Sequence, residues 1–166
     1  MLQQIQETNA FLESKTTIKP FVGIVLGTGL GNLSSEINIE TAIPYSEIPN
    51  FPITTVEGHS GKLLFGTINN VPIVAMQGRF HYYEGYSLKE CTFPIRVMQS
   101  LGINNLILSN ASGGVNADFE IGDIMLITDH INLFPDNPLR GKNIDELGPR
   151  FPDMSEPYDK SLRNKV

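Results

Sequence analysis

The sequence predicts an α/β fold with a mixed β-sheet core and surrounding helices, and three observations carry that prediction. Short apolar runs of strand length recur along the chain, bounded by glycine or asparagine turns. A stretch with helical spacing, Leu88 to Leu101, stands between two of those runs. The alternation of strands with a crossover helix belongs to sheets whose ligand sites gather at the strand ends.

Taken in order, residues 2–14 place Leu2, Ile5, Ala10, Phe11 and Leu12 at roughly helical spacing, and Pro20 closes that segment. PFVGIVLGTGLG reads as a buried strand running into a glycine turn. Lys62 to Ile68 and Val71 to Met76 flank Asn69 and Asn70, a pair suited to positive backbone angles, and so predict a hairpin. Its second strand delivers QGRFHYYEGY. The Leu88 to Leu101 helix ends at Gly102, with Pro94 expected at a kink or at the end of a first turn. Asn105 to Ser109 is a further strand leading into NASGG, and Asp123 to Asp129 is expected as another, leading into HINLFPDNPLRG. There is no internal repeat.

A chain of 166 residues, 40% hydrophobic and 18% charged, is read as one globular domain over 1–166. A net charge of −6 and a pI near 5.0 argue against a broad grip on a phosphate backbone, so no nucleic acid partner is expected. Cys91 is the single cysteine, which leaves no internal disulfide and no cysteine-based zinc site and fits a reducing compartment. The polar N-terminus has no apolar signal-peptide core and no later stretch reaches membrane-spanning length. The expectation is a cytoplasmic protein without membrane partners.

GTGLG at 27–31 brings backbone amides and the Thr28 hydroxyl within reach of an anion, because glycine removes blocking side chains. It lacks the spacing of a dinucleotide fingerprint and the lysine of a P-loop, and a glycine turn after a strand needs no ligand at all. Arg79 and His81 alternate on an extended segment, which allows both to face a tetrahedral anion, with Glu84 near enough to orient one of them. The alternative is a surface Arg paired with Glu84 beside a half-buried His. His59 in EGHSGK reads as a loop histidine or as a second anion contact. NASGG at 110–114 offers consecutive amides for a pocket wall, or a tight turn. Asp129 and His130 have no further ligand at metal spacing and are read as structural, and no serine-hydrolase elbow is present.

Together, GIVLGTGLG, VEGHSGKLLFG, MQGRFHYYEGY, SNASGGVN, GDIMLITDHINL, NPLRG and RFPDMSEPYD resemble, in order and spacing, the trimeric purine nucleoside phosphorylases. The resemblance covers nearly the whole chain. It implies the nucleoside phosphorylase fold and reversible phosphorolysis of purine (2′-deoxy)ribonucleosides to free base and (deoxy)ribose 1-phosphate. The related methylthioadenosine phosphorylases share the glycine turn but are expected to differ where this chain has GRFHYYEGY.

By position, the resemblance implies that phosphate is held by the Thr28 hydroxyl, His59, Arg79, His81 and the Ala111 amide, with Arg79 and His81 as the catalytic pair. Tyr83 would touch the ribose, and Phe151 would be lent by a neighbouring subunit of a homotrimer to cover the sugar. Thr28 stands where many members have Ser, and Ser112 where Ala is common. No metal and no organic cofactor are implied, since inorganic phosphate is a co-substrate. Family members continue beyond RFPDMSEPYD with the purine-reading Glu and Asn, a ribose-contacting His and a further phosphate-contacting Ser. The chain is therefore expected to be the N-terminal part of a longer phosphorylase domain, its C-terminal part missing; the alternative is a shortened phosphate- or nucleoside-binding module without activity.

Overall fold

The computed structural model describes residues 1–27, 31–53 and 61–166, and the chain forms two compact units, Met1–Ala111 and Ser112–Val166. The first unit contains helices α1 (Leu2–Lys15) and α2 (Leu88–Ser100) and strands β1 (Val22–Leu26), β2 (Asn38–Pro44), β3 (Lys62–Ile68), β4 (Val71–Gln77) and β5 (Asn105–Leu108).

The five strands form one mixed sheet in the order β2-β3-β4-β1-β5. β1 runs parallel to both β4 and β5, whereas β2 with β3 and β3 with β4 are antiparallel. The β3–β4 hairpin turns through Asn69 and Asn70 at φ 47° and 65°, the doubly positive geometry that matches strand twist. The interiors of β1, β3 and β4 are apolar on both faces. Ile24, Leu26, Leu64, Ile73 and Ala75 share a buried cluster with Ile37. Residues of opposite parity, Val25, Leu63, Phe65, Val74 and Met76, are also buried, as strands covered on both sides require.

Helix α1 buries Ile5 and Leu12 together with Thr8, whose hydroxyl is shared between the carbonyls of Gln4 and Pro49, at 2.8 Å each. Asn9 Nδ2 donates to Ser100 Oγ (2.6 Å), linking α1 to the end of α2. Helix α2 opens with a reciprocal cap. Glu90 N–H reaches Ser87 Oγ (3.3 Å) while the Glu90 carboxylate accepts from Ser87 N–H (2.8 Å) and its hydroxyl (2.7 Å). Those bonds hold the Glu90 carboxyl below its usual range. Pro94 does not end the helix; it is buried inside a continuous Leu88–Ser100 element, and Gly102 at φ 97° follows its end.

The second unit is built of turns, one short 3-10 turn over Asp145–Leu147 and a four-residue helix, α3 (Lys160–Arg163). Arg150 Nη1 gathers the loop before it by donating to the carbonyls of Leu139 (2.7 Å) and Gly141 (2.9 Å). The strand expected over Asp123 to Asp129 does not form. A strand is completed by backbone bonds to a neighbour and by burial of its apolar face, and here Ile124, Met125 and Leu126 are exposed.

Candidate functional site

Because β1, β4 and β5 are parallel and in register, their carboxyl ends lie along one end of the sheet. Leu26 is opposite Gln77, and Val25 is opposite Leu108. The residues leaving those strands are Gly27, Gly78-Arg79 and Ser109-Asn110-Ala111, three of the segments singled out in the sequence. Strand β3 enters at the same end, with Lys62 opposite Gln77. Thr28 and His59 lie outside the described residues, so the structure speaks only of their neighbours.

Gly78, at φ 93°, turns the chain sharply out of β4 in a conformation that glycine alone adopts readily. Arg79 and His81 are both partly buried beyond that turn, and the structure brings them together: Arg79 Nε–H donates to His81 Nε2 at 3.4 Å. Arg79 Nη1 donates to the Ser109 carbonyl at 2.8 Å, across to the end of β5. The Arg79–Glu84 pairing weighed in the sequence does not form. The Glu84 carboxylate instead accepts from the His81 backbone N–H (3.1 Å), and the His81 side chain takes the Glu84 N–H in return. Among the described residues the ion pairs are Lys19–Glu13 and Arg140–Asp136, so no described carboxylate neutralises Arg79.

Two N–H groups, from Arg79 and Glu84, are thus aimed at one imidazole. A neutral imidazole has a single acceptor nitrogen and does not fully satisfy both, which leaves donor capacity for an added acceptor. Tyr83 stacks on the His81 ring with centroids 4.8 Å apart and planes 19° from parallel, and it is 82% exposed. In the first turn of α2, burial and the charges of Glu90 and Glu84 push the Cys91 thiol up, so it stays protonated and is a poor nucleophile.

Two supporting residues escaped the sequence reading. Tyr45 is buried, its ring against Phe51 and Phe80 at 5.5 and 5.1 Å. Its hydroxyl donates to the Gly78 carbonyl (2.7 Å) and its N–H to the Gly61 carbonyl (3.0 Å), so it braces the residue before Arg79 and the entry to β3. Ser109 accepts the Gly27 N–H on its hydroxyl (2.9 Å) and donates that hydroxyl to the Val25 carbonyl (3.0 Å). The Gly27 amide is therefore taken by Ser109 and is not one of the amides open to an anion. Its missing side chain makes room for backbone, since a Cβ there would sit 2.3 Å from the Ser109 carbonyl oxygen.

Ala111 is exposed at the end of the first unit, and NASGG straddles the boundary between the units. In the second unit Phe151 is 87% exposed, with the Arg150 guanidinium 6.0 Å from its ring centroid. The His130 N–H is bonded to Asp129 Oδ1 (2.8 Å) and the His130 Nδ1 lies 3.0 Å from the Tyr158 hydroxyl, so that pair is engaged locally. Among the described residues no three His, Cys, Asp or Glu side chains are grouped as metal ligands would be, and no helix is long and apolar enough to cross a membrane.

A mixed sheet whose parallel strand ends bring together Gly27, the Arg79 guanidinium, without a carboxylate partner among the described residues, and the His81 imidazole defines an α/β protein. The chain belongs to the phosphorylase superfamily, whose family model matches residues 21–166. It is 55% identical over 159 residues to purine nucleoside phosphorylase 1 of Geobacillus stearothermophilus, covering 96% of this chain and 58% of that relative. It is 51% identical over 167 residues to purine nucleoside phosphorylase of Rattus norvegicus, covering 99% of this chain and 58% of the relative. Among solved structures it matches isoform 2 of purine nucleoside phosphorylase from Schistosoma mansoni, in complex with cytosine and ribose-1-phosphate. That match has a TM-score of 0.92 at 46% identity and covers 98% of this chain and 58% of the other. The chain thus spans a little under three fifths of these relatives' length.

Proposed function

We propose that the protein, as a complete polypeptide, is a purine nucleoside phosphorylase, and that residues 1–166 are the N-terminal part of its catalytic domain. The observation that carries this reading is Arg79. It is a partly buried guanidinium, without a carboxylate partner among the described residues, fixed beside His81 at the carboxyl ends of three parallel strands. A positive group held in this way is suited to a phosphate dianion, which offers its oxygens to charged donors at close range.

In this reading Arg79 and His81 grip phosphate with the Thr28 hydroxyl, His59 and the Ala111 amide, and Tyr83 lies against the ribose. Departure of the purine from C1′ builds positive charge on the sugar. Phosphate aligned below that carbon stabilises the charge and then forms the new C1′–O bond as the C1′–N bond breaks, its electron pair leaving with the base. The protein supplies orientation and electrostatics. Phosphate is the nucleophile, so the reaction calls for no metal and no organic cofactor. The active form is a cytoplasmic homotrimer in which each Phe151 covers a neighbour's sugar site, an arrangement in which every subunit donates one aromatic and receives one.

The test is nucleoside consumption by the complete polypeptide with and without inorganic phosphate. Base release that requires phosphate and yields ribose 1-phosphate is the expected result. Turnover indifferent to phosphate would point to hydrolysis and overturn the reading.

A further inference from the structure

We infer that Ser109 is a positioning residue for the anion site, setting the separation between Gly27 and Arg79; the inference rests on the phosphorolysis reading above. The paired register of β1 and β5 ends at Val25 opposite Leu108. One residue later, Ser109 reaches β1 with both backbone and side chain. Its N–H donates to the Val25 carbonyl (3.2 Å), its hydroxyl donates to the same carbonyl (3.0 Å), and the Gly27 N–H donates to that hydroxyl (2.9 Å). The side chain takes the place of the next ladder rung, so Gly27 is fixed while the chain leaves the sheet.

With the hydroxyl engaged on β1, the Ser109 carbonyl is the acceptor for Arg79 Nη1 at 2.8 Å. The close approach is specific to this pair, since any side chain at Gly27 would run into that same carbonyl. One residue therefore holds both Gly27, at the end of β1, and the guanidinium of Arg79, beyond β4. Arg79 is one of the groups assigned to phosphate, and Gly27 directly precedes another, Thr28. Loss of the hydroxyl leaves Gly27 N–H without its partner and frees β1 and β5 to shift at this end. Arg79 then loses its fixed distance from the end of β1. The nucleoside side of the site, where Tyr83 stacks on His81, is held by the two His81–Glu84 bonds, with the longer Arg79 Nε–H contact to His81 at 3.4 Å beside them.

The experiment compares Ser109→Ala, Ser109→Cys and Ser109→Thr in the complete polypeptide. It measures KM for phosphate, KM for inosine, kcat, thermal midpoint, and inorganic phosphate binding by calorimetry. Ser109→Ala is expected to raise the phosphate KM and Kd about tenfold, the effect of one lost hydrogen bond at a buried amide, with the inosine KM changed less than about twofold. Ser109→Cys keeps the volume but bonds weakly and is expected to fall between Ala and wild type, and it serves if the alanine variant does not fold. Ser109→Thr retains the hydroxyl and is expected to restore phosphate affinity. Unchanged phosphate affinity in Ser109→Ala or Ser109→Cys would overturn the inference, as would equal rises in both KM values alongside a lower midpoint. Wild-type protein that binds phosphate without turning over inosine would defeat the phosphorolysis reading alone, and calorimetry would still decide the role of Ser109. Wild type that binds no phosphate would defeat both.

Discussion

Residues 1–111 and 112–166 solve the problem of apolar surface differently. In the first unit the interiors of β3 and β4 are closed on both faces, with Phe65, Val74 and Ala75 fully inaccessible, although β5 leaves Ile107 and Leu108 exposed. In the second, Val115, Ile121, Ile124, Ile131 and Leu133 stand almost wholly exposed, and hydrogen bonds are mostly local, such as Asp153 to Ser155 or Asn137 to Leu139. The first unit therefore has the means to hold a site rigidly. The second presents side chains whose natural destination is another surface. The difference teaches that a resemblance spread evenly along a chain does not imply evenly spread self-sufficiency.

Stability is where that contrast is largest. Phe65→Ala should cost about 3–5 kcal/mol, the range for deleting a core aromatic, whereas Ile121→Ala should change stability by less than about 0.5 kcal/mol, as exposed substitutions do. Denaturant unfolding of the 166-residue chain measures both. Equal losses would mean that Ile121 is covered and the contrast false.

Within the first unit, Arg79→Ala should weaken phosphate by about 1.5–3 kcal/mol, the value of a hydrogen bond to a charged group, against about 1 kcal/mol for Thr28→Ala. Phosphate titration of the complete polypeptide separates them, and an unchanged affinity in Arg79→Ala would remove the assignment. In the second unit, Phe151→Ala should raise the nucleoside KM several-fold, consistent with an interface aromatic contributing more than about 1 kcal/mol, with phosphate affinity nearly intact. Sedimentation of the same samples checks the assembly. An active wild-type monomer would leave the exposed Phe151 to some other role.

Legibility divided by the range of the contacts rather than by unit. The hairpin at Asn69-Asn70 was readable because its turn chemistry is local, and Arg79 and His81 were readable because two residues on one short segment meet wherever that segment goes. Asp123 to Asp129 was not, because a short apolar run describes a strand that only a hydrogen-bonding neighbour can complete. Gly27 was legible as a special position, with an anion contact and a plain turn both left open, but the neighbour that requires glycine there was not. The space it leaves is filled by a carbonyl eighty-two residues further along. Tyr45 and Ser109 act through backbone carbonyls remote in sequence, and no spacing rule announces such contacts.

The brace at Tyr45 also gives the fold an alkaline boundary. Burial raises its phenol well above the ordinary value of 10.0. The folded protein keeps a proton that the unfolded chain releases, so the group's contribution to stability is complete below about pH 10 and declines as pH rises beyond it. Ionising Tyr45 would place a phenolate among Phe51 and Phe80 and withdraw the donor from the Gly78 carbonyl. In a base titration followed by phenolate absorbance, Tyr45 thus reports the opening of the structure, and the turn at Gly78 loses its anchor with it.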